Sequence, residues 1–288
     1  MSTVLDLRRK IKTIRNIQQI TKAMKTVATV KLKRAQQSLL HIKPYSHRIP
    51  ELIESLTSRV DLSLHPLLSE RKEKRIELVI ITADKGLCGA FNSKIREKAE
   101  EFIGEKKDEI EISFTLIGKK GAIYFKKEPY PVRNKYINLF QKLEYEKVKE
   151  IVKSLIDPFL NQEIDAVYVI YNEFKSILRQ EITINRLLPL PRFEPKEEVV
   201  IIDYIYEPDP EAILNQLLPK YIENQIYHYL LESIASEHAA RMIAMENATN
   251  NAQELIEDLS LEMNKIRQTL ITKELVNIMT AVEALEER

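Results

Sequence analysis

All five glycines of this 288-residue chain, Gly86, Gly89, Gly104, Gly118 and Gly121, fall in one central interval, so both flanks lack the commonest helix breaker. The flank that follows "EPDPEA" has Pro219 as its one proline, near its first turns. Its apolar residues Ala252, Ile256, Leu259, Met263, Ile266 and Leu270 step by four and three, the spacing of a coiled-coil seam. A single helix of that length would extend on the order of 100 Å at about 1.5 Å per residue, too long for burial in a compact domain of this size. It must project and find a partner helix.

The N-terminal flank supplies a candidate. Apolar residues recur at Leu7, Ile11 and Ile14, then after one short step at Ile17, Ile20, Met24 and Val27. That pattern predicts a helix with a narrow seam interrupted by a stammer. It runs to about Ile42, where Pro44 and then Pro50 are expected to kink or interrupt it before a further helical piece near "ELIESLTSRV". The charges are complementary: residues 1–34 carry ten Lys or Arg against Asp6 alone, and residues 211–288 carry thirteen Asp or Glu against six Lys or Arg. An antiparallel pairing of the two ends satisfies both seams, with charge setting orientation more than stability. The shorter arm should run out near residues 260–270 of the longer one. Beyond that point a second stripe, Ile271, Leu275, Ile278, Val282 and Leu285, makes the tip apolar over most of its circumference. Such a tip has to be enclosed, so a sleeve from another protein is expected.

Between the arms the period changes. "IELVIIT", "EIEISFTLIG" and "IDAVYVIYN" are strand-length runs separated by the helical stretches "NSKIREKAEEFI" and "EYEKVKEIVKSLI", which predicts a largely parallel sheet with helices packed on it. "ILRQEITINRLLPL" and "VVIIDYIYEP" follow with no helix between them, so an antiparallel or mixed edge is expected. The fold class is therefore α/β with a long antiparallel coiled coil, and a Rossmann-like mixed sheet domain is inserted between the paired ends. The expected boundaries are 1–60 for the N-terminal helix, 70–207 for the α/β domain and 210–288 for the C-terminal helix.

Composition narrows the function classes. A formal charge of +1 with 30% charged and 44% apolar residues is ordinary for a soluble protein and points to no partner. No window approaches the roughly 18 apolar residues needed to span a bilayer, and "MSTVLDLRRKIKTIR" has no signal-peptide pattern, so the chain is expected to be untargeted, without direct membrane insertion. Cys88 is the only cysteine, which excludes an intrachain disulfide and a Cys-based zinc site, and the histidine spacing offers no metal site.

The best candidate for chemistry is "TADKGLCGAFN", residues 82–92, where a strand enters a Gly-containing loop and then a helix. It lacks both the dinucleotide fingerprint and the Lys-Ser/Thr ending of a P-loop, and a tight turn using Gly86 and Gly89 explains it as well. His41, His47, His65, His228 and His238 lie outside the expected sheet core, so a Cys-His pair with Cys88 is not expected. Neither an enzyme nor a cofactor site emerges. The basic first arm has no aromatic residue before Tyr45 to stack bases, and the acidic C-terminal arm is its better electrostatic partner, so no nucleic acid is expected. An interfacial membrane helix is disfavoured by the same lack of aromatic anchors.

Six stretches together, "IRNIQQITKAMKTVATVKLKRAQ", "DKGLCGAFN", "LLPLP", "DYIYEPDP", "SEHAARMIAMENATNNA" and "NKIRQTLITKELVNI", resemble the gamma-subunit family of the rotary F-type ATP synthases, in order and over nearly the whole chain. The resemblance implies a non-catalytic central shaft inside a ring of alpha and beta subunits, with the α/β domain outside it, touching the epsilon subunit and the membrane c ring. In a bacterium that places the chain peripherally at the cytoplasmic face of the plasma membrane. It further implies that Lys22, Met24 and Lys25, and then Arg267, Gln268, Thr272, Lys273 and Glu274, contact the alpha/beta ring. Tyr204, Tyr206 and Glu207 match the foot that meets the c ring and epsilon, although an edge strand accounts equally for the tyrosines. The chain departs from the family pattern at "IMTAVEALEER", where Thr280 and Ala281 replace a pair of small residues. What remains outward-facing on the first arm, around Lys22, Met24 and Lys25, is where the shaft should press on its neighbours.

Overall fold

The computed structural model describes residues 3–57, 65–106, 110–191 and 209–286. The chain forms two compact units, one of Met1–Val27 with Met242–Arg288 and one of Ala28–Arg241. Two long helices, α1 (Val4–Thr57) and α5 (Pro210–Glu286), contribute to both.

In the first unit α1 opens with a reciprocal cap. The Asp6 N–H donates to Thr3 Oγ1 at 3.2 Å, and the Thr3 N–H donates to Asp6 Oδ2 at 3.1 Å, which satisfies otherwise orphaned backbone donors. Leu7 and Ile11 are buried and Ile14 half-buried, as expected. From there the structure corrects the seam. It continues through Gln18, Thr21 and Lys25 in an unbroken four-three repeat, with no stammer, while Ile17, Ile20 and Val27 are exposed. Polar residues hold these seam positions because each meets a partner on α5. Gln18 Nε2 donates to Gln253 Oε1 at 2.8 Å, the Thr21 and Thr249 hydroxyls lie 2.8 Å apart, and Lys25 Nζ donates to Glu246 Oε1 at 2.7 Å. Partner numbers fall as α1 numbers rise, so the pairing is antiparallel. On α5 the seam runs through Met245, Thr249, Ala252, Ile256, Leu259, Met263 and Ile266, and it ends there because Leu270 is exposed. At equal rise per residue the start of α1 lies level with about residue 267 of α5, within the expected interval.

The second unit contains a five-stranded sheet in the order β3-β2-β1-β4-β5. β1 (Arg75–Ile81), β2 (Glu111–Ile117), β3 (Val132–Tyr136) and β4 (Ala166–Phe174) are parallel, and β5 (Gln180–Leu188) closes one edge antiparallel to β4. Six of the seven β1 residues are buried, the continuous burial of a central strand covered on both faces. Glu77 is the polar one among them, and it is held by the Ser113 and Thr115 hydroxyls from β2. α2 (Phe91–Lys106) and α4 (Tyr145–Leu160) match the expected helices, and α4 buries Val148, Ile151, Val152, Leu155, Ile156 and Phe159 at helical spacing. β3, "VRNKY", and α3 (Lys119–Phe125) were not foreseen: the strand carries one apolar aliphatic residue on an exposed edge, and the helix is too short for a period to show. The run "VVIIDYIYEP" lies outside the described residues.

Two proline expectations change. Pro44 and Pro50 do not interrupt α1, which continues to Thr57. Buried Ile42 and Ile53 hold this part of the helix down, and the carbonyl that Pro44 leaves without a donor belongs to exposed Leu40, where water can reach it. On α5 the first-turn proline is Pro210 rather than Pro219: Asp209 Oδ1 caps the helix by accepting the Ala212 N–H at 2.8 Å, and Pro219 sits further inside.

β2 turns into α3 at Gly118, whose φ of 93° is in the left-handed region and whose added Cβ would lie 2.0 Å from the Thr82 carbonyl oxygen. We expect Gly118→Ala to lower the unfolding free energy by more than about 3 kcal/mol, read from urea unfolding. Gly104→Ala, where an added Cβ meets nothing within 4 Å, should be neutral or slightly stabilising in the same assay.

Candidate interaction surfaces and a closed sheet crevice

Beyond Ile266 every described α5 side chain to Ala281 is exposed. Arg267, Gln268, Thr272, Lys273 and Glu274 therefore share roughly three and a half turns of unpaired helix with exposed Leu270, Ile271, Leu275, Val276, Ile278 and Met279. The apolar residues cover about two thirds of the circumference, leaving Thr269, Lys273, Asn277 and Thr280 as a narrower polar strip. Thr272 donates its hydroxyl to the Gln268 carbonyl at 3.0 Å, and Thr280 does the same to Val276 at 2.9 Å, so both present methyl groups outward with their polar demand met. The side chains of Val282 and Leu285 lie outside the described residues, as do Tyr204, Tyr206 and Glu207.

On α1, Lys22 is exposed and Met24 half-buried. Lys25 differs from expectation. It sits in the seam rather than facing outward, and its ion pair with Glu246 leaves it 38% exposed. At that exposure the pair contributes a few tenths of a kcal/mol at most. Together with Met24, exposed Ile17, Ile20 and Val27 form an apolar stripe that flanks the seam on one side of α1. Along the helix axis the Lys22–Lys25 group, level with Glu246, lies roughly 30 Å from Arg267 at 1.5 Å per residue, so the two groups form separate patches on one unit.

In open α/β sheets ligands bind beyond the carboxyl ends of the strands where the strand order reverses, here between β1 and β4. In this chain α5 fills that place. The Asn172 N–H donates to Ser233 Oγ and Ser236 Oγ donates to the Asn172 carbonyl, both at 3.3 Å, and the Phe174 N–H donates to Glu232. Tyr229 stacks on Tyr171 with ring centroids 4.3 Å apart. Arg241, itself buried, gives Nη2 to the carbonyls of Lys85 at 3.3 Å and Gly86 at 3.1 Å, pairs with Glu237 at 2.5 Å, and approaches His238 Nδ1 at 3.3 Å.

The loop 82–92 is tied down from its other side. Asp84 accepts the backbone N–H groups of Lys119, Asn138 and Phe140 at 3.0, 2.8 and 3.3 Å, and Asn92 Oδ1 accepts the Ala83 N–H at 3.0 Å. Leu87 and Gly89 both adopt positive φ, 63° and 56°, as a tight strand-to-helix turn requires. Burial pushes the Cys88 thiol up, away from the thiolate that a nucleophile needs. The crevice is thus built to hold a helix. Glu237 Oε2 and Asn172 Nδ2 are the atoms left buried without a hydrogen-bond partner there. No cluster of His, Cys, Asp and Glu suited to a metal exists among the described residues. His238, assigned outside the sheet core, enters this crevice on α5, and the Glu237–Arg241 pair beside it was also missed. The Glu and Arg four apart in "SEHAAR" were the available signal.

Burial and the adjacent Arg241 lower His238 from an ordinary 6.5 to about 4. Between these values the unfolded chain binds the extra proton, so stability present above pH 6.5 is lost as pH falls toward 4. His65 and His228 are lowered as well, also by burial first, and share in the loss. We expect His238→Gln to reduce the difference in unfolding free energy between pH 7 and pH 4.5 by roughly 2–3 kcal/mol, measured by urea titration at both pH values.

The family model described as ATP synthase matches residues 3–285. An ATP synthase gamma chain of Solibacter usitatus is 45% identical, aligned over 99% of this chain and 100% of its own, and one of Chloroherpeton thalassium is 40% identical over 100% and 99%. Among solved structures, the central stalk and c-ring of Tetrahymena thermophila mitochondrial ATP synthase contains a chain with a TM-score of 0.61 and 26% identity, aligned over 80% of this chain and 99% of that one. A chain of the Euglena gracilis mitochondrial enzyme shares the fold, with a TM-score of 0.66 at 19% identity over 98% and 94%. With relatives above 40% identity spanning its whole length and a family model covering nearly all of it, the chain belongs to the ATP synthase gamma chain family.

Proposed function

We propose that the chain is the rotating central shaft of an F-type ATP synthase, non-catalytic itself, that couples ion flow through a membrane c ring to ATP synthesis or hydrolysis on a ring of alpha and beta subunits. The observation that carries this is the tip of α5. Its coiled-coil partner has run out, its apolar residues are exposed around most of the helix, and it stays helical, which suits enclosure by a sleeve. Affinity at otherwise equivalent sites changes only through contacts that differ between their states. A two-helix shaft has no rotational symmetry of its own, so it offers each site a different surface in turn.

On this reading Lys22 and Met24, the exposed part of Lys25, and Arg267, Gln268, Thr272, Lys273 and Glu274 meet the alpha/beta ring. Two patches spaced along one stiff axis would let the ring be contacted at two levels. Tyr204, Tyr206 and Glu207 belong to the foot that meets the c ring and the epsilon subunit. On the same reading the chain is peripheral at the cytoplasmic face of a bacterial plasma membrane, where a shaft can reach a c ring from outside the bilayer; no described helix is long and apolar enough to cross one.

Purified alone, the chain should hydrolyse no ATP in a phosphate-release assay, and it should co-purify with alpha and beta subunits when they are co-expressed. Robust turnover by the isolated chain would overturn the proposal. Removing residues 271–288 should weaken assembly or uncouple hydrolysis from ion pumping while the sheet-bearing unit keeps its urea midpoint. Unchanged assembly and coupling would remove the enclosed tip from the mechanism.

A further inference from the structure

Away from both helix patches and from the filled crevice, the helices enclose a cavity of their own. In the sheet-bearing unit, α1, α4 and α5 converge on a cleft of about 730 Å³, within the size range of small-molecule sites. We propose that this cleft binds a small amphiphilic carboxylate, one anionic head on an apolar body.

The walls supply the apolar half. Ile42 and Ile49 on α1 face the rings of Tyr145 on α4 and Tyr227 on α5, which meet edge to face with centroids 5.7 Å apart. The polar groups in the floor are already satisfied, since Asn224 Nδ2 donates to Ser46 Oγ at 3.2 Å and Asn224 is buried. Bound apolar surface therefore meets no orphaned donor or acceptor there.

The charge of the occupant follows from which groups are committed and which are not. Glu223, the acidic group in the lining, accepts the Tyr145 hydroxyl at 2.6 Å, a bond that together with burial raises Tyr145 well above its ordinary value. Lys149 is paired with Glu146 at 2.8 Å and sits 5.4 Å from the Tyr145 centroid. What remains is Lys220, His41 and the hydroxyl of Tyr45, none of which has a partner among the described residues. All three can donate a hydrogen bond and one carries a fixed positive charge. An anion complements that set, and a carboxylate head accepts from an ammonium and a neighbouring donor at once. Lys220 is exposed and otherwise answered by solvent, so a carboxylate head gains an ion pair there that a neutral head does not, and a cationic head is repelled.

The inference stands apart from the shaft proposal, and its test separates the two. The full-length chain, free and in the assembled complex, is irradiated with a diazirine-bearing decanoate, and labelled residues are mapped by peptide mass. We expect labelling within residues 38–49 and 220–227 in both forms, competed by decanoate and not by acetate, decyl maltoside or decyltrimethylammonium. Lys220→Glu should reduce cleft labelling about tenfold, about 1.4 kcal/mol of binding, while Lys220→Arg should retain it. Tyr45→Ala, at a side chain 65% exposed and so tolerant of truncation, should also reduce it. Equal competition by the neutral or cationic detergent, or labelling indifferent to Lys220→Glu, would overturn the proposal. Labelling of the free chain that vanishes in the complex would overturn it too, by making the cleft a protein interface.

Discussion

The burial of α5 around its whole circumference between residues 229 and 239 is the constraint on which the sheet-bearing unit depends. An α-helix buried on all sides needs either apolar side chains throughout or an internal partner for each polar one. This helix has both. Leu230, Leu231, Ile234, Ala235 and Ala239 supply the apolar surface, while Glu232, Ser233, Ser236 and Glu237 bond to the strand end at Asn172 and Phe174 and to Arg241. The consequence is functional. The crevice where an open α/β sheet would take a ligand is occupied by the chain's own helix, so a fold that elsewhere serves binding serves here to grip.

The other unit solves a different problem with the same helix. Three consecutive seam layers, Gln18–Gln253, Thr21–Thr249 and Lys25–Glu246, are polar where a stable coiled coil would carry aliphatic residues. Such layers add little stability when half-exposed, but together they mark one register. A slide by one heptad would set Thr21 against Met242 or Ile256, where its hydroxyl has no partner. Apolar layers beyond Gln18, from Leu7 and Ile11 against the far seam of α5, supply the cohesion. Register and cohesion are thus assigned to different residues, and the excess of basic charge on one arm and acidic charge on the other favours pairing of the two arms before any contact forms.

The same separation explains which parts of the fold were readable in advance. β1, β2 and β4 are continuous β-branched runs because buried parallel strands must be apolar on both faces, and β5 runs antiparallel because a short turn with no crossover helix joins it to β4. β3 escaped because an exposed edge strand is free to be polar. The seam of α1 was misread at Ile17, Ile20 and Val27 for the converse reason: hydrophobicity marks residues that water should leave, and it does not distinguish packing within the chain from a surface kept for something else. The prolines misled because local propensity yields to tertiary packing where Ile42 and Ile53 are anchored.

By itself the sequence determined the long helical ends, their opposite charge, the point at which the shorter arm runs out, the parallel sheet between them and the family. All of these are periodic or compositional properties that summation over many residues makes robust. Only the tertiary structure decided that polar Gln18, Thr21 and Lys25 are the seam, that Lys25 turns toward Glu246, and that Arg241 joins the Lys85–Gly86 loop across more than 150 positions of sequence. Each of these depends on one side chain finding one partner far away in the chain, and no local pattern encodes where that partner will stand.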